Sequence, residues 1–172
     1  MKNVLVVVDM QNDFIDQALG TKEAVEIVPA VVSEIRNPEY DTVIATLDTH
    51  AENYMETNEG RHLPVTHCVK GTEGWQLNPQ VEAALGERGA TMIEKPTFGS
   101  EELLALMKKE DPDSVTFIGL CTDICVVSNA LAVKMALYEK DVYIIEAATA
   151  GVTPEKKAAA LETMRSCQIE VR

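Results

Sequence analysis

Residues 115–131 read VTFIGLCTDICVVSNAL. Val115 to Ile118 form a short apolar run of the kind seen in strands buried on both faces. Past Gly119 the pattern turns helix-like, with Cys121 and Cys125 four residues apart at the handover. A strand passing into a helix is half of a βαβ unit, and such units build parallel sheets covered on both faces. The unit recurs along the chain. Apolar runs lie at Leu5 to Val8, Thr42 to Leu47, Thr91 to Ile93, Val142 to Ile145 and Ile169 to Val171. Helical patterns alternate with them. VPAVVSEIRN has Pro29 near its start, and NPQVEAALGERG repeats the device with Pro79. SEELLALMKKE opens on Ser100 as N-cap and closes on lysines. CVVSNALAVKMALYEK reads as the longest helix, and TPEKKAAALETMRS has Thr153 as N-cap with Pro154 behind it. The expected fold is α/β: three α/β/α layers around a mostly parallel, Rossmann-like six-stranded sheet, in a single domain spanning 1–172.

The bulk numbers agree with a globular domain. The chain has 172 residues, 46% hydrophobic and 25% charged, enough for one core. Its net charge of −13 repels polyanions, which argues against nucleic acid and anionic membrane as partners. No apolar run has transmembrane length, and the opening MKNVLVVVDMQNDF reads as a first strand rather than a signal peptide. A cytoplasmic location is expected, with Cys68, Cys121, Cys125 and Cys167 as thiols rather than a disulfide framework.

Sites in open α/β sheets form beyond the carboxyl ends of the strands. Those ends are expected at Asp9, at Asp48 and His50, at Glu94 and Lys95, at Cys121 and Cys125, and at Glu146. No CxxC pair is present to suggest a zinc thiolate site. Cys121 and Cys167 read as small core fillers. Cys125 reads differently, because it lies at the start of a helix, with Thr122 or Asp123 as N-cap, where the dipole favours a thiolate. Lys95 would lower its pKa further, and Asp9 could accept its proton and return it to a leaving group.

The segments VVVDMQNDF, EKPTFGS and GLCTDICV resemble the three signatures of the cysteine hydrolases of the isochorismatase-like superfamily, along essentially the whole chain. The resemblance implies a catalytic triad of Asp9, Lys95 and Cys125. It also implies a non-proline cis peptide at Leu120–Cys121, and an oxyanion hole made by the backbone N–H groups of Cys121 and Cys125. Isochorismatases that cleave a vinyl ether lack the cysteine, so the thiol here points to hydrolysis of an amide or related C–N bond.

One stretch departs from the strand–helix alternation. LDTHAENYMETNEGRHLPVTHCVKGTEGW, residues 47–75, is long, polar and holds all three histidines of the chain. Long loops in compact domains are usually functional. Histidine and carboxylate donors suit zinc, iron or manganese. The segment is similar to the metal segment of the nicotinamidase/pyrazinamidase branch. That similarity implies a divalent metal on Asp48, His50 and His67, with Glu59 as third ligand in chain order and His62 as its rival. A turn is expected at Gly60 and Pro64. The resemblance further implies hydrolysis of nicotinamide to nicotinate and ammonia, as in NAD salvage, through a cysteine thioester. Phe14, Trp75 and Phe98 are then candidates for the substrate pocket, each readable equally as ordinary core. Two alternatives stand beside it: a metal-independent hydrolase of ureido or N-carbamoyl compounds using the same triad, and a non-enzymatic binding module. The expected partner is a small-molecule amide, and a homo-oligomer is left open.

Overall fold

The structure, a computed structural model, describes residues 1–172. In chain order, β1 (Asn3–Val8) leads into three helices: α1 (Asn12–Ile15), α2 (Lys22–Glu26) and α3 (Val28–Arg36). Next comes β2 (Thr42–Asp48), followed by a 3-10 turn (Tyr54–Glu56), α4 (Asn58–His62) and α5 (Pro79–Glu87). β3 (Thr91–Lys95), α6 (Glu101–Glu110) and β4 (Ser114–Leu120) follow. A π-helical turn (Thr122–Val126) then opens into α7 (Val127–Ala136). β5 (Asp141–Ala150), α8 (Pro154–Ser166) and β6 (Glu170–Val171) complete the chain.

The six strands form one sheet in the order β3-β2-β1-β4-β5-β6, and every pairing is parallel. Alternate residues of each strand serve opposite faces. Leu5 and Val7 join Val43, Ala45, Leu47 and Ile118 in a core of 23 buried residues beneath α3 and α5. Val4, Val6 and Val8 join Ile44, Phe117 and Ile144 in a second core of 20, beneath α6, α7 and α8. This is the three-layer α/β/α arrangement. No helix is long and apolar enough to cross a membrane.

Capping follows the local chemistry. Asn78, Ser100 and Thr153 each accept a backbone N–H of the first turn, and Pro79 and Pro154 occupy the first helical position. Gly119 has φ +107, and a Cβ there would lie 2.2 Å from Val8 O, so only glycine lets β4 and β1 approach so closely at the site edge.

Four expectations need correction. The longest helix is α8, with 13 residues, because the stretch from Cys125 is divided between the π turn and the 10-residue α7. The N-cap of that turn is Cys121, not Thr122 or Asp123. Glu146 is not a strand end. The β4–β5 register jumps from Phe117↔Ile144 to Gly119↔Thr149, so β5 continues through an irregularity to Ala150 and leaves Glu146 exposed near Arg165. Cys167 is no core filler, but an exposed C-cap of α8. All four cysteines are free.

Candidate active site and metal centre

The carboxyl ends of β1, β3 and β4 converge, with β2 lying between β3 and β1. Asp9, just past β1, has a left-handed backbone (φ 47), uncommon for a residue with a side chain, and is fully buried. Thr46 Oγ1 donates to its Oδ1 at 2.7 Å. Lys95, the last residue of β3, is 1% exposed. Its Nζ lies 2.7 Å from Asp9 Oδ2, 3.6 Å from Cys125 Sγ and 3.7 Å from Asp48 Oδ1, and it donates to Thr97 O at 2.9 Å. Asp9 Oδ2 has this ion contact and no further hydrogen bond. Cys125 sits in the π turn, and the peptide at Leu120–Cys121 is cis. The backbone N–H of Cys121 has no hydrogen-bond acceptor within the protein.

A second cluster touches the first through Asp48. One ligand atom each from Asp48, His50, Glu59 and His67 lies within 4.8 Å of all the others. His50 Nε2 is 2.9 Å and His67 Nε2 3.4 Å from Asp48 Oδ2, and Glu59 Oε1 is 3.7 Å from both ring nitrogens. His67 donates its Nδ1–H to Val65 O at 2.8 Å, which fixes the ring with Nε2 facing inward, the nitrogen that would bind a metal once its proton is lost. The donor set, two imidazoles and two carboxylates, fits a divalent transition metal. His62 stays outside it: the ring is exposed and donates Nδ1–H to Asn58 O. The segment is not structureless either. Gly60 lies within α4 rather than in a turn, and His50 bridges Val69.

Burial and charge compete at every titrating group. At Asp48 burial works upward, but hydrogen bonds from His50 and His67 and the Lys95 charge outweigh it and hold the carboxyl well below its usual range. At Asp9 burial wins over Lys95, and the pKa rises. Burial also pushes Cys125 well above an ordinary thiol, with Asp9 adding to the rise and Lys95 only partly opposing it. Burial thus works against the thiolate that Lys95 and the helix start favour. Burial pushes Cys121 up to about 12. Burial works against the Lys95 charge, but Asp9, Cys125 and Asp48 keep it protonated.

A cleft of about 770 Å³ opens beside the metal cluster, with His50, Glu59, His62, Phe98 and the chain neighbours of Lys95 and Cys125, Pro96 and Ile124, in its walls. Phe98 is 44% exposed there. Phe14 and Trp75, the other two pocket candidates, do not line it. Phe14 packs edge-on to His67 with centroids 5.4 Å apart, and Trp75 donates Nε1–H to Thr49 Oγ1.

Three supporting residues escaped the sequence reading. Gln11 accepts the Asp48 N–H and donates to Asp48 O and Trp75 O, all at 2.8 Å. Asp13 accepts the Cys68 N–H at 2.7 Å, fixing the chain beside His67. Asn129 donates to Cys125 O and Phe98 O and accepts from Ser100 N. Gln11 and Asp13 were signalled by polar residues crowding the end of an apolar strand. Asn129, inside a helix, carried no such signal.

The sequence profile of the isochorismatase domain matches residues 3–172. The chain belongs to the isochorismatase domain family. This isochorismatase-domain protein is 29% identical over 182 residues to the nicotinamidase/pyrazinamidase of Mycobacterium tuberculosis (strain ATCC 25618 / H37Rv), covering 97% of this chain and 96% of the relative. It is 26% identical over 161 residues to the nicotinamidase of Acinetobacter baylyi (strain ATCC 33305 / BD413 / ADP1), covering 77% and 74%. Among solved structures, the pyrazinamidase of Pyrococcus horikoshii in complex with zinc superimposes with a TM-score of 0.81 at 29% identity, covering 100% of this chain and 99% of that one. The nicotinamidase/pyrazinamidase of Bacillus subtilis gives 0.84 at 25% identity, covering 99% of each.

Proposed function

We propose that this protein is a metal-containing amidohydrolase that converts nicotinamide to nicotinate and ammonia through a thioester on Cys125. The observation that carries the reading is the Lys95 ammonium, which contacts Asp9, Cys125 and Asp48 and so joins a nucleophile cluster to a four-donor metal cluster. Relatives named nicotinamidase and pyrazinamidase, one solved with zinc, support the substrate and the metal. The four-donor cluster disfavours the metal-independent ureido alternative.

Asp48, His50, Glu59 and His67 would hold the ion, which when bound supplies a Lewis acid for the pyridine nitrogen of the substrate. Zinc, iron and manganese all suit this donor set. The carboxamide then lies over Cys125. Asp9, whose pKa burial has raised, takes the thiol proton as Sγ attacks the carbonyl carbon. A carbon–sulfur bond forms and the carbonyl π pair moves to oxygen, where the free Cys121 N–H and the Cys125 N–H serve as donors. Asp9 gives its proton to the departing nitrogen, the C–N bond breaks, and ammonia leaves. Asp9 next takes a proton from water, whose oxygen attacks the thioester. The C–S bond breaks, nicotinate is released, and the proton returns to sulfur. Lys95 stays charged throughout and holds Asp9 in place.

Ammonia release should be measured on nicotinamide, pyrazinamide and an N-carbamoyl amino acid, with metal analysis of the same sample. Turnover of the two ring amides by metal-bearing protein is expected. Turnover of the carbamoyl compound alone, by metal-free protein, would overturn the reading.

A further inference from the structure

Tyr54 has no assigned role, yet the metal cluster is built around it. Its side chain is fully buried. Its ring centroid lies 4.9 Å from that of His50, at 66°, and 4.9 Å from that of His67, at 70°. The two imidazoles are themselves 4.9 Å apart, at 74°. Three rings thus make a closed edge-to-face triangle, the arrangement in which the positive edge of one ring meets the negative face of the next. A ring wedged between two imidazoles restricts their rotation away from Asp48 and Glu59.

The rest of Tyr54 holds the segment that bears Glu59. The Tyr54 hydroxyl donates to Leu63 O at 2.8 Å, beyond the end of α4. Tyr54 O accepts from Thr57 Oγ1 at 2.6 Å and from Thr57 N at 3.0 Å, and Thr57 Oγ1 in turn accepts the Gly60 N–H. At five residues α4 is far too short to be stable alone. Thr57 at its start and Leu63 at its end both tie back to Tyr54, and Glu59 lies between the two ties.

We infer that Tyr54 is the positioning residue of the metal centre: its ring locks His50 and His67, while its hydroxyl and carbonyl hold α4 so that Glu59 faces them. The inference rests on the metal reading given above. Tyr54→Phe keeps the ring triangle and removes the tie to Leu63, whereas Tyr54→Leu removes both. Zinc affinity should be measured by competition with a chromophoric chelator, and coordination by the absorption spectrum of the cobalt(II)-loaded protein. Zinc binding about tenfold weaker is expected for Tyr54→Phe, with an altered cobalt spectrum, and a further factor of about ten for Tyr54→Leu. A purely structural tyrosine would lower the melting temperature of the metal-free protein but leave zinc affinity and the cobalt spectrum as in the wild type. Wild-type affinity and spectrum in Tyr54→Phe would therefore overturn the inference while the metal reading stands. A wild-type protein that binds no zinc and no cobalt would remove the metal reading and this inference together. If Tyr54→Leu fails to fold, the nearly isosteric Tyr54→Phe decides.

Discussion

At Lys95 a single buried ammonium faces two carboxylates and a thiol. Charge proximity alone argues for a standing thiolate at Cys125. Burial and the neighbouring Asp9 work the other way and raise the thiol pKa, and in the proposed mechanism Asp9 is the group that takes its proton. This makes the two cysteines of the opening stretch separable by experiment. Cys125→Ala should lower turnover by at least about a thousandfold with the far-UV spectrum unchanged, because a positioned nucleophile is lost. Cys121→Ala should keep most of the activity, since only its amide is invoked. Steady-state ammonia release on the two variants checks both, and an equal loss in each would mean the sulfur roles are misassigned.

Among the elements, α4 does the most with the least. It supplies Glu59 from a five-residue helix pinned to Tyr54. Gly60 makes that contact possible, since a Cβ there would lie 2.1 Å from Tyr54 O. Gly60→Ala must therefore push α4 off the 3-10 turn and draw Glu59 from the two imidazoles. Zinc affinity at least about tenfold weaker is expected, with Cys125 alkylation rates unchanged, because Gly60 has no part in the nucleophile cluster. Chelator competition on the variant tests this, and wild-type affinity would mean that the helix shifts without moving its carboxylate.

For the molecule as a whole, bound metal should act as a stabilising ligand. At free zinc about a thousand times its dissociation constant, mass action contributes about 4 kcal/mol. At roughly 2–4 °C per kcal/mol for a chain of this size, removing the ion should lower the melting temperature by roughly 8–16 °C. The gap should also depend on pH. Burial works to lower the His67 pKa, but Asp48, the Val65 carbonyl and Glu59 raise it above its ordinary value in the metal-free protein. The stability this ion pair adds is fully present below the unfolded-state pKa and fades as pH rises through the higher folded value. Metal displaces that proton, so the loaded protein is spared this loss, and the gap widens from pH 6 to pH 8. Calorimetry of loaded and chelated samples across that range provides the check, and a gap that narrows with pH would contradict the charge assignment of the cluster.

The sheet, its two covering layers and the strand ends carrying Asp9, Lys95 and Cys125 were legible in the sequence because they follow local rules. Apolar runs, caps and helix-start prolines act over a few residues, and a parallel sheet aligns its carboxyl ends by construction. The register jump that removes Glu146 from the site edge was not legible, because it is set by how β5 pairs with β4. The same holds for the metal cluster. Glu59 and His62 are three residues apart and chemically both good ligands. Which of them faces His50 and His67 depends on the direction of a short helix, set by the Tyr54–Leu63 tie and by where the fold places the two imidazoles around the Tyr54 ring. The upward shift of the Cys125 pKa likewise needed the structure, since spacing reports which charges are near but not how much water has been excluded around them.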